Sequence, residues 1–267
     1  MNIVIVSLIS FIFITINSYA IDWGITIIGD SRAQGLQTSS TYSYNNIFSL
    51  NSNSILEPII DDDIQEKAES GSTLSAYVPG KVVWKSRDAS YYEDNKYITF
   101  IALGTNDVRR FFLSGELSAE AIRDECKNNM ESLIRRILDN TYINVIISDI
   151  APTYWRFDGF MDSFLNDGNY QINKINQLVN YAYINLIDEL RAEYGNRVGI
   201  VLIYDIFLDP IYYIGEGDWI HFNLVGNEVW AGLIAQKIIE LGWDKQTAKI
   251  FGELSDQYIN LTNTNIR

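Results

Sequence analysis

The chain has one histidine, His221, and this residue restricts the chemistry that the protein can perform. Imidazole is the side chain that most readily accepts a proton near neutral pH, so His221 is the first candidate for a general base. A zinc site built on two or three histidines is excluded, and the single cysteine, Cys126, rules out a thiolate cluster. A metal site made only of carboxylates stays open, but the sequence contains no EF-hand or P-loop spacing.

Asp218 and Ser31 are the residues that would make this histidine catalytic. Asp218 lies three positions before His221 in the segment GEGDWIHFN, and in a tight turn its carboxylate would reach one ring nitrogen. Ser31, in TIIGDSRAQG, is the candidate nucleophile, because a serine hydroxyl is inert until a base removes its proton. Each signal is weak alone, since a surface histidine in a turn and a serine that caps a helix would look the same.

Acyl transfer from an ester also needs hydrogen-bond donors for the oxyanion that forms when the carbonyl is attacked. Each such donor is worth about 3 to 4 kcal/mol at the transition state. Asn106, in GTND, offers a side-chain amide, and Gly71, in ESGSTLSAY, offers a backbone N–H that no side chain obstructs. Gly80, in YVPGK, is the alternative to Gly71. Ordinary turn-forming roles would explain the same residues.

Apolar runs rich in β-branched residues predict strands that are buried on both faces of a parallel sheet. They are Gly24–Ile28, Tyr97–Leu103, Asn144–Ile150 and Val198–Tyr204, with a short acidic edge strand near Ile64–Lys67. Helical spacing of apolar residues occurs over 122–137, 172–190 and 225–241, and Asn223 and Gly242 would cap and end the last helix. Alternating strands and helices predict an α/β fold. Gly29-Asp30-Ser31 and Gly104–Asp107 would then end two strands at the same edge, where such sheets bind ligands.

These motifs together resemble the SGNH hydrolases, also called GDSL esterases and lipases. Gly29-Asp30-Ser31, Gly71, Gly104-x-Asn106-Asp107 and Asp218-x-x-His221 occur in the order of that family, from Ile25 to about Trp243. The resemblance implies a flavodoxin-like three-layer α/β/α sandwich with a mostly parallel five-stranded sheet. It also implies that the protein uses neither a metal nor an organic cofactor.

The resemblance further implies a role for each of these residues. Ser31 would be the nucleophile, and Asp218 and His221 would complete a catalytic triad. The backbone N–H of Ser31 would form the oxyanion hole together with Gly71 and Asn106.

One residue departs from the family pattern. Arg32 follows the serine, where the family has a leucine, but this position varies among members and is not catalytic. The chain also lacks a Gly-x-Ser-x-Gly nucleophile elbow, which disfavours the α/β-hydrolase class.

The identity of the ester is less well defined by the sequence. A net charge of −14 disfavours nucleic acid and anionic lipid as partners, since both require clustered lysine and arginine. Tyr154, Trp155 and Trp219 could stack on sugar rings, line a slot for an acyl chain, or cover the core. The leading hypothesis is a serine esterase that removes short acyl groups, acetyl above all, from a polysaccharide or a small-molecule ester.

Alternatives to this hypothesis stay open. With the same residues, the protein could be a lipase, lysophospholipase or thioesterase that takes longer acyl chains, or an acyltransferase. It could also be a non-catalytic carbohydrate-binding protein on the same fold. The sequence does not define the oligomeric state.

The beginning of the chain has the pattern of an export signal. Residues 1–20 are uncharged and almost entirely apolar, and they end in Ser18-Tyr19-Ala20, a small-x-small sequence that suits signal peptidase. We therefore expect a signal peptide at 1–20, an SGNH-hydrolase-like domain at 21–267, and export to the periplasm or the cell exterior. No stable membrane association is expected if the signal is cleaved. The alternative is an uncleaved membrane anchor, since the run approaches the length of a membrane span.

Overall fold

The computed structural model describes residues 24–34, 56, 59, 64–79, 95–153, 162–215 and 218–244. Its central sheet has five parallel strands in the spatial order β2-β1-β3-β4-β5. The strands are β1 Ile25–Gly29, β2 Ile64–Glu66, β3 Ile98–Ala102, β4 Asn144–Ser148 and β5 Val198–Val201. The predicted α/β fold with a five-stranded parallel sheet is therefore confirmed, and β2 lies at an edge as expected.

Helices cover both faces of this sheet. Within the described residues they are α1 Thr105–Ser114, α2 Ala119–Asn140, α3 Asp162–Tyr194 and α4 Leu224–Glu240. Ile28 of β1 lies in a buried cluster with Leu133 of α2 and Leu186 of α3. Its neighbour Ile27 lies in a second cluster, with Trp230 of α4. Successive side chains of a strand point to opposite faces, so the two clusters are the two cores of a three-layer sandwich.

The three helices predicted from apolar spacing are present as α2, α3 and α4. Asn223 caps α4, because its Oδ1 accepts a hydrogen bond from the Gly226 N–H at 2.9 Å. Gly242 follows α4 with a φ of 71°, the left-handed conformation in which many helices end. The helix α1 has no counterpart among the predicted elements, since its sequence TNDVRRFFLS is short and has only two buried positions.

The segment around His221 differs from the prediction. Gly215 and Gly217 predict a loop there, but Asp218–Phe222 forms strand β7, which pairs antiparallel with β6, Tyr213–Gly215. Tyr213 lies opposite Phe222 and Gly215 lies opposite Asp218, so five residues of β7 face three of β6 and the ladder is irregular. Burial of Phe222, which is 2% exposed, favours the extended strand over a coiled turn.

None of the helices in the described ranges combines the length and the hydropathy that a bilayer crossing requires. The leader at residues 1–20 lies outside the described residues. The signal peptide and the domain boundary after it therefore stay predictions.

Candidate active site

The segments that follow the carboxyl ends of the strands carry three of the predicted site residues, Ser31, Gly71 and Asn106. We call them the carboxyl rim: residues 30–34 after β1, 67–74 after β2, 103–107 after β3 and 149–153 after β4. Open parallel sheets bind their ligands at this end. His221 comes to the carboxyl rim from β7, which belongs to a separate two-stranded sheet.

Ser31 lies in the turn that follows β1. A glycine is required at position 29, because a Cβ there would lie 2.3 Å from the Ala33 Cβ and 3.0 Å from the Ala102 carbonyl oxygen. The Asp30 N–H donates to that same Ala102 oxygen at 3.2 Å, which joins the turn to the end of β3. The sequence Gly-Asp-Ser therefore makes a sharp turn that leaves the serine partly exposed at the carboxyl rim.

His221 lies against this serine. Its Nε2 is 2.8 Å from the Ser31 Oγ, a distance at which imidazole can take the hydroxyl proton. The next residue, Phe222, anchors the strand through ring contacts with Phe207 and Trp230, at centroid distances of 4.3 and 5.3 Å. A serine and a histidine 190 positions apart are thus brought together by the fold.

Asn106 lies beside the loop that carries Gly71. Asn106 is the second residue of α1, and its Nδ2 donates to the Ser72 carbonyl oxygen at 3.1 Å. Gly71 is exposed and has a φ of 77°, a left-handed conformation that favours glycine. No atom lies within 4 Å of a Cβ built at this position, so the described residues leave the glycine open to an approaching ligand.

Asp107 holds the same loop from inside the protein. Both of its carboxylate oxygens accept from the Leu74 N–H, at 3.0 and 2.9 Å, and the residue is 1% exposed. Burial raises the pKa of Asp107 to about 7, although the N–H groups of Leu74 and Ser75 oppose this rise. The sequence motif contains Asp107, for which an ordinary turn-forming role was the interpretation available, and its bonds to Leu74 are a finding of the structure.

Asp30 is a second buried carboxylate at the carboxyl rim. Its pKa is raised by burial, and the nearby guanidinium of Arg32 acts in the opposite direction. The Asp30 Oδ1 also accepts from the Arg32 N–H at 2.9 Å, which closes the turn around Ser31.

The remaining predicted site residues are described only in part or not at all. Asp218 and Trp219 belong to β7, and the structure describes their backbone but not their side chains. In a regular strand, side chains three positions apart point to opposite faces, so a contact of Asp218 with His221 depends on the irregular ladder of β7. This contact stays a prediction. Tyr154 and Trp155 lie outside the described residues, and so does Gly80.

Arg32 is the rim residue whose structural importance the sequence did not predict. Its side chain is only 4% exposed. Since arginine is almost never fully buried unless it is paired, this burial indicates that the guanidinium has hydrogen-bond partners. The sequence feature that could have indicated this importance is the position of the arginine, directly after the candidate nucleophile. Over the ranges that the structure covers, no group of three histidine, cysteine, aspartate or glutamate side chains could hold a metal ion.

The carboxyl rim of this three-layer fold carries the motifs of a family of ester-bond hydrolases. A family model described as GDSL-like Lipase/Acylhydrolase matches residues 25–234. The chain therefore belongs to the GDSL-like lipase and acylhydrolase family, as its motifs indicated. No curated protein matches the sequence.

Solved structures of esterases share the fold at low sequence identity. Est24, a carbohydrate acetylesterase from Sinorhizobium meliloti, is 17% identical with a TM-score of 0.55, over 82% of this chain and 99% of Est24. An inhibitor-bound aryl esterase from M. smegmatis is 16% identical with a TM-score of 0.56, over 82% and 99%. A lipase/acylhydrolase from Enterococcus faecalis is 15% identical with a TM-score of 0.53, over 83% and 97%. At 15% to 17% identity, this likeness concerns the fold alone.

Proposed function

We propose that the protein is an exported serine esterase that hydrolyses carboxylic esters through a triad of Ser31, His221 and Asp218. The single observation that carries this proposal is the 2.8 Å distance between the Ser31 Oγ and the His221 Nε2. Membership of an acylhydrolase family supports an ester as the bond that is cleaved. The substrates that we propose are short acyl esters, acetyl above all, of carbohydrates.

In the first half-reaction, the Ser31 oxygen attacks the ester carbonyl while His221 Nε2 takes the hydroxyl proton. The carbonyl oxygen becomes an oxyanion, which the N–H groups of Ser31 and Gly71 and the Asn106 amide would stabilise. An amide nitrogen carries two hydrogens, so Asn106 can donate one to the Ser72 carbonyl and the other to the oxyanion. The C–O bond to the alcohol then breaks, and the alcohol leaves with the proton from His221.

In the second half-reaction, water takes the place of the alcohol. His221 removes a proton from water, the resulting hydroxide attacks the acyl-enzyme carbonyl, and the same donors stabilise the second oxyanion. The bond to the Ser31 oxygen breaks, the acid leaves, and the proton returns to Ser31. Asp218 would accept a hydrogen bond from the Nδ1–H of His221 and so select the tautomer in which Nε2 accepts the proton.

The choice of a soluble, short-chain substrate has weaker support. A net charge of −14 opposes binding to anionic lipid surfaces, where longer acyl chains are found. Tyr154, Trp155 and Trp219 are the side chains that we propose to contact the sugar, because aromatic rings stack on the apolar faces of sugars. Est24 is a carbohydrate acetylesterase by name, which is consistent with this choice.

Labelling with a fluorophosphonate probe tests the mechanism, since the probe reacts only with an activated serine. We expect labelling of the wild type and none of Ser31→Ala. Ser114→Ala is the matched control, because Ser114 is an exposed serine at the end of α1, away from the carboxyl rim. Absence of labelling in the wild type would favour a non-catalytic binding protein.

Turnover of p-nitrophenyl acetate and p-nitrophenyl octanoate tests the substrate class. Faster hydrolysis of the acetate supports a short-chain esterase, and a strong preference for the octanoate would favour the lipase or thioesterase alternative. Export is tested separately by the mass of the protein secreted from a bacterial host. Cleavage after Ala20 is the expected result, and an intact leader in the membrane fraction would favour an anchor.

A further inference from the structure

The side chain of Arg32 connects separate segments of the carboxyl rim. Its Nε donates to the Ile220 carbonyl oxygen at 2.8 Å. Its two terminal nitrogens donate to the Ala151 oxygen at 3.1 Å, the Pro152 oxygen at 2.9 Å, the Thr153 Oγ1 at 3.1 Å and the Thr105 Oγ1 at 3.4 Å. One guanidinium thus joins the turn after β1 to the start of α1, to the segment after β4 and to β7.

These contacts lie on both sides of the histidine that faces Ser31. Ile220, whose carbonyl accepts from Arg32, precedes His221 in β7. Phe222 follows His221, and its ring centroid lies 5.3 Å from the Arg32 Cζ. Arg32 is itself the residue after Ser31. Arg32 is therefore covalently part of the segment that carries the nucleophile, and its side chain contacts both sequence neighbours of His221.

Such a connection is needed because β7 is not part of the main sheet. Among the described residues, β6 and β7 pair only with each other, and a two-stranded hairpin alone is marginally stable. The ladder of the five-stranded sheet positions Ser31, but it does not position His221 relative to that sheet. Three kinds of contact do so instead: the ring contacts of Phe222 with the core, the hydrogen bond that the Tyr213 hydroxyl of β6 donates to the Pro152 carbonyl oxygen at 2.7 Å, and the hydrogen bonds of Arg32.

A guanidinium suits this task better than any other cation. It is planar, always charged, and presents five N–H donors in a fixed geometry, so one residue can satisfy several carbonyl oxygens at once. A lysine at position 32 would keep the charge, but its single ammonium could not reach all the acceptors that surround the planar guanidinium group.

We propose that Arg32 is a positioning residue that sets the distance between the Ser31 Oγ and the His221 Nε2. The proposal rests on the proposed function for its kinetic test, whereas its spectroscopic test is independent of any activity. Replacement of Arg32 would let β7 shift relative to the turn after β1. The nucleophile and the base would then lose their alignment while the fold persists.

Arg197 is the matched control, since it makes the same kind of hydrogen bond at the opposite end of the sheet. Its guanidinium donates to the carbonyl oxygens of Leu138, Thr141 and Ile143, at 3.2, 2.7 and 2.9 Å. Arg197→Ala therefore removes arginine–carbonyl bonds far from the carboxyl rim.

The spectroscopic test uses the fact that His221 is the only histidine of the chain. In a protein purified with a histidine-free tag, the imidazole 15N signals belong to His221 without further assignment. We expect both ring signals to shift or broaden in Arg32→Ala and Arg32→Lys at a fixed pH, and to match the wild type in Arg197→Ala. Ring signals in folded Arg32→Ala that equal those of the wild type would overturn the proposal.

The kinetic test compares kcat and KM on p-nitrophenyl acetate. A misplacement of about 1 Å costs on the order of 100-fold in rate, so we expect kcat of Arg32→Ala to fall about 100-fold with little change in KM. Millimolar guanidinium chloride should restore part of this kcat in a saturable manner, whereas sodium chloride should not. Arg197→Ala should keep the wild-type kcat per folded molecule.

The outcomes separate this proposal from the proposed function. If the wild type hydrolyses the ester and folded Arg32→Ala has the same kcat, the positioning role is contradicted, but the proposed function is not. An equal loss of kcat in Arg197→Ala contradicts it as well, since the effect would then be general destabilisation. If the wild type hydrolyses no ester, the proposed function fails, and the His221 signals still decide the role of Arg32. If Arg32→Ala does not fold, Arg32→Lys provides both measurements, and full activity in that variant overturns the proposal.

Discussion

At each end of the central sheet, an arginine donates hydrogen bonds to several backbone carbonyl oxygens, but with different consequences. We call residues 138–143 and 195–197 the amino edge, because they precede β4 and β5. In this region, Arg197 joins the end of α2 to the start of β5. Its partners are 54 to 59 positions away, and they lie just before β4, which already pairs with β5. Arg197 therefore reinforces elements that the sheet holds in any case.

At the carboxyl rim, Arg32 donates to segments that follow paired strands of the sheet, but it also donates to β7, which the five-stranded sheet does not hold. Its partner carbonyls are 119, 120 and 188 positions away, and Ile220 belongs to the separate β6–β7 hairpin. The comparison indicates that the same type of hydrogen bond stabilises the fold at one end and aligns reacting groups at the other.

The largest expected effect comes from removing the nucleophile at the carboxyl rim. Ser31→Ala should lower kcat/KM for p-nitrophenyl acetate by about 10⁴-fold or more, because no other group can form the acyl-enzyme. His221→Ala should have a comparable effect, and the double variant should lose little more than either single variant. Thermal unfolding should stay close to that of the wild type. Losses that multiply in the double variant would show that the two residues do not act together.

Loss of an oxyanion donor should have the next largest effect. Asn106→Ala should lower kcat by about 10²- to 10³-fold with a small change in KM, because the amide is needed most in the transition state. Asn140→Ala is the control: the Asn140 amide also donates to a carbonyl oxygen, that of Arg136 at 2.7 Å, but at the end of α2. A similar loss in both variants would contradict the role of Asn106.

A change at the amino edge should alter stability alone. Arg197→Ala should lower the free energy of unfolding by about 1 to 2 kcal/mol, because it removes partly exposed hydrogen bonds of a charged donor. Urea denaturation measures this loss, and kcat per folded molecule should equal that of the wild type. A reduced kcat in this variant would remove the distinction between the two ends of the sheet.

The last prediction concerns the pH dependence of stability at the carboxyl rim. The pKa of Asp107 is raised from 3.8 to about 7 by burial, so the folded protein keeps a proton that the unfolded chain has lost. The free energy of unfolding should therefore fall as the pH rises from about 4 to about 7. Asp107→Asn should make this decrease smaller without abolishing it, since burial also raises the pKa of Asp149 to about 7.

Urea denaturation at pH 4.5 and 7.5 measures this dependence. Asp188→Asn, a change at an exposed residue of α3, serves as the control. A pH dependence in Asp107→Asn as steep as that of the wild type would contradict the assignment.

Much of the fold could be predicted because its signals are local. The apolar runs that became β1, β3, β4 and β5 are visible in short windows, and the same holds for the helical spacing of α2, α3 and α4. The hairpin β6–β7 was missed because Gly215 and Gly217 resemble a loop, and because the sequence of β7, DWIHF, lacks the continuous apolar run of strands such as β4, NVIIS. The role of Arg32 was missed since most of its acceptors are backbone oxygens, which every residue type possesses.

By itself, the sequence determined the parallel α/β sheet, the serine at the end of its first strand and the single histidine that can serve as a base. These follow from hydrophobic burial along short segments and from the choice of residue types. Only the tertiary structure decided that Ser31 and His221 lie 2.8 Å apart, and that Arg32 connects their two segments. Distances between residues remote in the chain depend on how the layers and the hairpin pack, and no local pattern encodes that packing.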